Sequence, residues 1–427
     1  MIASLYIRIK KSNYANYFKT LAIGSILSQF IIFFSSPIIT RLYTPEIFGI
    51  FVLFITIVSI IAPSASGRYD IAMVVTEENK DGEKLFILSI LTSLILSLVI
   101  FFLIFFGEIP FKKILNAQNL HNWWFLIPLI IFLHTLVSIV KSYANRNNHY
   151  SIISKISVFR AILNTGLIII FGYTGYTSGG LFIAEIISSI LIFIFIYYIY
   201  RGVLKKISWK IDYNLFLTAK KFKIFPIYQS TSELCNSLRL LLPIFFLAKY
   251  FPEAVVGYYA LCFRVIFTPL RFISSSISTI HLKKVSTLIS EKKNVNLYLS
   301  KLILILLTII LPPSIVLFFY GTEIFAYIFG ENWYVAGEYI KILIPGIGLM
   351  FVVSTISPVF SSTGNVFISA IWNFASFIIV FLSLFFLAPL LDAKEMMVLI
   401  TILNCFLYFS YLILIFYAIN NPKKIKK

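Results

Sequence analysis

The sequence predicts an all-α polytopic membrane protein with twelve transmembrane helices. Three observations carry that prediction. Of the 427 residues, 59% are hydrophobic and only 12% are charged, whereas soluble domains are about a quarter charged. Mean hydropathy is +0.94. Apolar runs long enough to cross a bilayer as helix, about 20 residues each, fall at approximately 20–40, 47–67, 85–106, 123–141, 154–173, 179–200, 223–247, 255–278, 297–319, 334–360, 367–390 and 396–418.

The first run, Leu21 to Ile39, follows a basic N-terminal segment. It is long for a cleavable leader, and Ser35-Ser36-Pro37 does not open a soluble mature sequence, so it reads as a retained first span. Tyr6 to Lys19 is expected in the membrane interface. A polar turn at Thr44, Pro45 and Glu46 then starts the second span, which is closed by Pro63, Gly67, Arg68 and Asp70. Proline suits the first helical turn because its missing N–H would be unpaired there. Half a chain later the design recurs: Pro45-Glu46 before Gly49 is echoed by Pro252-Glu253 before Gly257. At that offset Ser25 falls on Glu233 and Ser28 on Asn236. Such a repeat suggests duplicated halves with a substrate site between the copies.

An even number of spans puts both termini on one side. With the termini cytoplasmic, the inner segments 1–19, 68–84, 141–160, 201–223, 281–301 and 419–427 hold 27 Lys and Arg. The outer loops hold five, Arg41, Lys112, Lys113, Lys249 and Lys394. That asymmetry fits the positive-inside rule and explains the net charge of +19 without nucleic acid. The longest inner segment, 201–223, lies between spans six and seven, so the expected domains are six-helix bundles over 1–210 and 211–427. Its Ile207, Trp209, Ile211, Leu215 and Phe216 suggest a surface-lying amphipathic stretch. The short outer loops leave no room for an extracytoplasmic domain, and Trp333 after Gly330 reads as an interfacial anchor. Gly179-Gly180 and Gly364-Asn365 read as turns, and the lysine-rich tail 423–427 as a basic anchor.

Catalytic and metal signatures are missing. There is no paired-aspartate sugar-nucleotide motif, phosphate-binding glycine loop or nucleophile elbow. Cys235, Cys262 and Cys405 and the four histidines have no ligand spacing, and His134 reads as a core histidine. The chemistry lies in polar residues inside spans, which are costly there and usually face a bundle interior or wet cavity. Gln229, Glu233, Asn236 and Arg239 share one face of span seven. Arg264 and Arg271 are seven apart in span eight, with Arg264 near mid-membrane. An arginine fork suits phosphate or carboxylate. Arg264, Arg239 and Arg271 are therefore candidate substrate contacts, as are Arg41 and Asn236, although an ion pair of Arg239 with Glu233 or Glu185 would serve structure alone. Arg41 and Arg68 could equally snorkel to the headgroup layers. Glu185 and Glu233 are candidate proton or cation sites, each equally explained by a helix-packing hydrogen bond.

Four stretches carry a family resemblance: Arg41-Leu-Tyr-Thr-Pro-Glu-Ile-Phe-Gly49, Gly67-Arg-Tyr-Asp-Ile-Ala72, Val256-Gly-Tyr-Tyr-Ala-Leu-Cys-Phe-Arg264 and Phe329-Gly-Glu-Asn-Trp333. In order and spacing they resemble the Wzx-type lipid-linked oligosaccharide flippases of the multidrug/oligosaccharidyl-lipid/polysaccharide (MOP) exporter superfamily, over nearly the whole chain. The resemblance implies two six-helix bundles forming a V around a central, often cationic cavity. It implies a transporter of the bacterial inner membrane, not an enzyme, with no cofactor. Its cargo would be an undecaprenyl-diphosphate-linked oligosaccharide for O-antigen, lipopolysaccharide or capsule. Membrane lipid, a polysaccharide polymerase and glycosyltransferases would be its partners, and proton or sodium coupling stays open. Arg264 matches an arginine that commonly follows the Gly-Tyr-Tyr stretch. The acidic-basic pair common in span seven is absent, since Asn236, Ser237 and Leu238 precede Arg239. The alternatives are another MOP-type exporter, for teichuronic acid, peptidoglycan precursors or drugs and cations, and a membrane glycan polymerase.

Overall fold

In the computed structural model, residues 2–76, 78–114, 118–204, 209, 213–291 and 293–421 are described. Within them every regular element is helical: α1 (Ile2–Leu42), α2 (Pro45–Ala65), α3 (Tyr69–Val75), α4 (Asn79–Ile114), α5 (Ile127–Arg146), α6 (Tyr150–Tyr173), α7 (Thr177–Leu204), α8 (Tyr213–Lys221), α9 (Ser230–Tyr250), α10 (Glu253–Cys262), α11 (Thr268–Ser290), α12 (Val295–Phe329), α13 (Tyr334–Ile356), α14 (Val359–Ser362), α15 (Val366–Leu387) and α16 (Ala393–Asn420). Twelve segments are long and apolar enough to span a membrane, from Ile23–Leu42 to Ala393–Asn420. This is a multi-pass membrane protein. The stretch 6–19 continues α1. The tail 423–427 and Lys205, Lys206, Ile207, Lys210 and Ile211 lie outside the described residues.

The expected connection between spans four and five, 142–153, contracts to 147–149, because span four runs to Arg146 and span five starts at Tyr150. Arg146 is more than a topology charge. Its guanidinium donates to the carbonyls of Met73, Thr76 and Glu78 and so caps the C-terminus of α3, where a cation meets unpaired carbonyls and the negative helix end.

The chain separates into two compact units, one of residues 1–43 and 53–237, the other of 44–52 and 238–427. In the first, α1 packs along α6, α6 on α7, and α5 against α3, α4 and α7. Its core gathers Met73, Leu85, Phe86, Ile139, Ala144, Ile192 and Tyr200. Leu215 of α8 enters that core while Phe216 faces outward, so the two do not share one membrane-facing side. Gly179 and Gly180 sit inside α7, where a Cβ on Gly180 would press on the Tyr43 hydroxyl.

In the second unit α13 is central and packs on α10, α11, α12 and α16. Trp333 is fully buried rather than interfacial, edge-on to Phe48 at 5.6 Å and to Tyr258 at 6.0 Å between ring centroids. The two Pro-Glu stretches, with glycine three residues after the glutamate at Gly49 and four after it at Gly257, meet here. A Cβ on Gly49 would lie 2.0 Å from the Glu253 carbonyl oxygen, and one on Gly257 2.1 Å from that of Pro45. Each helix thus brings its backbone against the other's first turn, as small residues permit.

Candidate functional site

Charged side chains lie within spans of both units. Arg264 belongs to a π-helical turn, Phe263–Phe267, between α10 and α11. The Thr268 N–H closes that turn on the Phe263 carbonyl, and the Thr268 hydroxyl reaches the same oxygen at 3.4 Å. The local cause is Pro269, which has no N–H for the Val265 carbonyl. A wide turn carries an extra residue, and such turns often mark functional sites. One residue shifts the helical phase by about 100°, so the seven-residue spacing does not keep Arg271 on the face of Arg264. Arg264 is half-buried with its guanidinium 5.8 Å from the Phe48 ring centroid, whereas Arg271 is exposed in α11. The Arg264 Nε is buried and unbonded, and no described carboxylate lies within ion-pair distance of the side chain.

Arg239 is placed differently. It is buried in α9, 5.2 Å from the Trp372 ring centroid and 5.9 Å from that of Tyr408, and its Nη1 donates to the Tyr408 hydroxyl at 3.4 Å. With Tyr259, Phe263 and Asn404 it lines a cavity of about 30 Å³, room for a water molecule and not a sugar. Asn236 is half-buried in α9, and Arg41 is exposed in the last turn of α1. Arg41 and Asn236 belong to the first unit, and Arg239, Arg264 and Arg271 to the second.

The acids are committed to the first unit. Glu233 pairs with Arg68 at 2.6 Å, not with Arg239. Arg68 holds a left-handed backbone, φ 57°, immediately after Gly67 at φ 61°, a conformation non-glycine residues adopt at a cost. Its side chain is thereby engaged in protein contact instead of reaching for headgroups. Beside it Ser64 and Ser230 each donate to the other's backbone carbonyl, at 3.1 and 3.2 Å.

Glu185 in α7 is buried among donors. Its Oε1 is 2.7 Å from His134 Nε2 and 3.3 Å from Arg160 Nη2, and its Oε2 accepts from Asn164 Nδ2 at 2.7 Å. Ser189 Oγ adds a contact at 3.4 Å. Arg160 Nη2 also lies 2.6 Å from His134 Nε2. One ring nitrogen cannot donate to Glu185 and accept from Arg160 together, so His134 has two alternative hydrogen-bond arrangements. Sequence reasoning missed His134, Arg160 and Asn164 as a group. The signal was available, because Arg160 and Asn164 are four apart on one helix face. Counting Arg160 only as a topology charge of the inner segment concealed it. Among the described residues no cluster of His, Cys, Asp and Glu has the form of a metal site.

Comparison with known proteins agrees with this architecture. The family model described as polysaccharide biosynthesis protein matches residues 38–338, so the chain belongs to that family. No curated protein sequence matches it significantly. Among solved structures it is similar to the lipid II flippase MurJ in an inward closed conformation, with TM-score 0.75 and 16% identity over 94% of this chain and 89% of that one. It is also similar to an inward-facing multidrug resistance MATE family transporter of the MOP superfamily, with TM-score 0.73 and 16% identity over 93% and 96%. A MOP superfamily transporter from Pyrococcus furiosus, described as having a binding pocket of reverse polarity, matches with TM-score 0.55 and 16% identity over 97% and 94%. The fold is that of MOP-superfamily transporters.

Proposed function

We propose that this member of the polysaccharide biosynthesis protein family is a flippase. It moves an undecaprenyl-diphosphate-linked oligosaccharide from the cytoplasmic to the periplasmic leaflet by alternating access, for O-antigen or capsular polysaccharide assembly. It lies in the bacterial inner membrane with both termini cytoplasmic, and it acts as a transporter rather than an enzyme. A diphosphate and a glycan cannot cross hydrocarbon alone, because their polar groups would lose water without replacement partners. The observation that carries the reading is Arg264, an intramembrane guanidinium with a buried, unbonded Nε and no carboxylate partner among the described residues. Such a group is ready to donate to phosphate oxygens. Arg239, Arg271, Arg41 and Asn236 are secondary contacts along the path. The proposed domains are the halves 1–210 and 211–427.

A drug–cation antiporter would need an acid open to a cationic substrate, but Glu233 faces Arg68 and Glu185 faces Arg160 and His134. The shell of Glu185 consists of N–H and O–H donors, not the oxygen acceptors that hard cations take. It suits proton exchange, and so does the two-way position of His134; Glu185 and Glu233 are thus the proposed coupling acids, with a proton favoured over sodium.

The test is a deletion strain complemented by wild type, Arg264→Lys or Arg264→Ala, scored for lipid-linked repeat units by leaflet and for surface glycan. Deletion accumulates undecaprenyl-diphosphate oligosaccharide on the cytoplasmic side, Arg264→Ala fails to clear it, and Arg264→Lys clears it in part. Normal surface glycan with altered cation or drug tolerance in the deletion strain would refute the flippase. Full-rate export by Arg264→Ala would remove Arg264 from the headgroup contact.

A further inference from the structure

A second candidate site lies in the first unit, lined by none of the charged residues used above. The helices α4, α5 and α7 border an open cleft of about 570 Å³, with Phe193 and Tyr197 of its lining exposed. Its lining is apolar, with Ile90 from α4, Phe132 and Val137 from α5, and Phe193 and Tyr197 from α7. One end differs. Arg201, in the last turn of α7, and Trp209, just beyond it, line the cleft there, with the Trp209 ring centroid 6.1 Å from that of Phe86. The Arg201 guanidinium lies 4.9 Å from the Tyr198 ring centroid, and no described carboxylate is within ion-pair distance of it.

We propose that this cleft binds one acyl chain of an anionic glycerophospholipid, with the lipid phosphate on Arg201. Three features select this occupant. Arg201 ends the span Thr177–Gly202, which puts a cation at headgroup level, where tryptophan and arginine anchors belong. Phe193 lies eight residues below, a depth of about 12 Å along the helix, so the apolar wall runs beneath the cation as a chain runs beneath its phosphate. The volume matches one chain. At about 30 Å³ per small group, the share a water takes in the liquid, the cleft holds about twenty methylene-sized groups. That is one acyl chain, whereas an undecaprenyl chain is several times larger. An uncharged or zwitterionic headgroup would forgo the net attraction to Arg201, so the site discriminates by charge.

The experiment is native mass spectrometry of the delipidated full chain titrated with phosphatidylglycerol, phosphatidylcholine or undecaprenyl phosphate. It is run on wild type, Arg201→Ala, Arg201→Lys and the cleft-filling Ile90→Trp. The expected result is a single phosphatidylglycerol adduct on wild type, weakened about tenfold by Arg201→Ala, the worth of one charge-assisted contact. Arg201→Lys restores most of the binding, and Ile90→Trp abolishes it. Phosphatidylglycerol also raises the melting temperature of wild type and not of Ile90→Trp, which separates an occupied cleft from a misfolded variant. Three outcomes overturn the proposal: equal binding of phosphatidylcholine and phosphatidylglycerol, an adduct unchanged in both Arg201→Ala and Ile90→Trp, or preferential retention of undecaprenyl phosphate. Export of the glycan is not the readout, so this test and that of the flippase fail separately.

Discussion

Replacing Gly257 with alanine sets two known effects against each other. Gly257 is inside α10, and alanine is favoured over glycine in a helix interior by about 1 kcal/mol. On propensity alone the variant is more stable. The packing says the opposite. The new Cβ would lie 2.1 Å from the Pro45 carbonyl oxygen, 2.9 Å from its carbon and 3.2 Å from Pro45 Cα. Ordinary contact begins near 3.4 Å, so α2 and α10 must part by about 1.3 Å. The obstacle is backbone and cannot rotate away. Overpacking costs about 1–3 kcal/mol and more where nothing yields, so the net expectation is a loss of about 2 kcal/mol. Gly49→Ala meets the Glu253 carbonyl at 2.0 Å and should lose as much. Both side chains press on one crossing, so the double variant should cost clearly less than the two singles together. Gly166 and Gly202, inside α6 and α7 with open space around a Cβ, are the controls and should hold or gain stability as alanine. The assay is thermal unfolding of purified protein in one detergent, where the loss reads as a drop of a few degrees. A Gly257→Ala protein at least as stable as wild type would refute the crossing.

Other expectations follow from the charged groups. Glu185→Ala leaves Arg160 and His134 facing each other without their acid, and breaking a buried pair in this way costs about 3–5 kcal/mol; unfolding should show it, and an unchanged midpoint would contradict the network. Exchanging the partners, Arg68→Glu with Glu233→Arg, should recover part of the stability that either single change loses, measured as a double-mutant cycle. His281, in α11 beyond the span that ends at Arg271, is buried with its ring stacked on Tyr298, and burial pushes its pKa below the ordinary value near 6.5. The unfolded chain then binds the proton first, so the His281 contribution is complete above about pH 6.5 and is lost as pH falls below it. His281→Phe should flatten that stretch of the stability–pH curve.

Much of this protein was legible in its sequence because the bilayer imposes a simple rule. Backbone groups in hydrocarbon must be bonded within their own segment, so twelve apolar runs had to be twelve helices, and the span over residues 367–390 lies where hydropathy alone puts it. The echo of Pro45-Glu46 before Gly49 in Pro252-Glu253 before Gly257 was visible in the sequence; that the two glycines meet was not. Hydropathy could not say which polar residue inside a span finds which other. That depends on helix phase and on neighbours distant in the chain. Trp333 looked like an interfacial anchor and is core, because Phe48 and Tyr258 close around it. Glu233 found Arg68, 165 residues away. Arg160, counted as a topology charge, became a partner of Glu185 only through the packing of α6 on α7. Arg264 and Arg271 parted company at one wide turn. Composition and period set where the helices run; three-dimensional packing alone decided which charges are neutralised inside them and which remain available to bind.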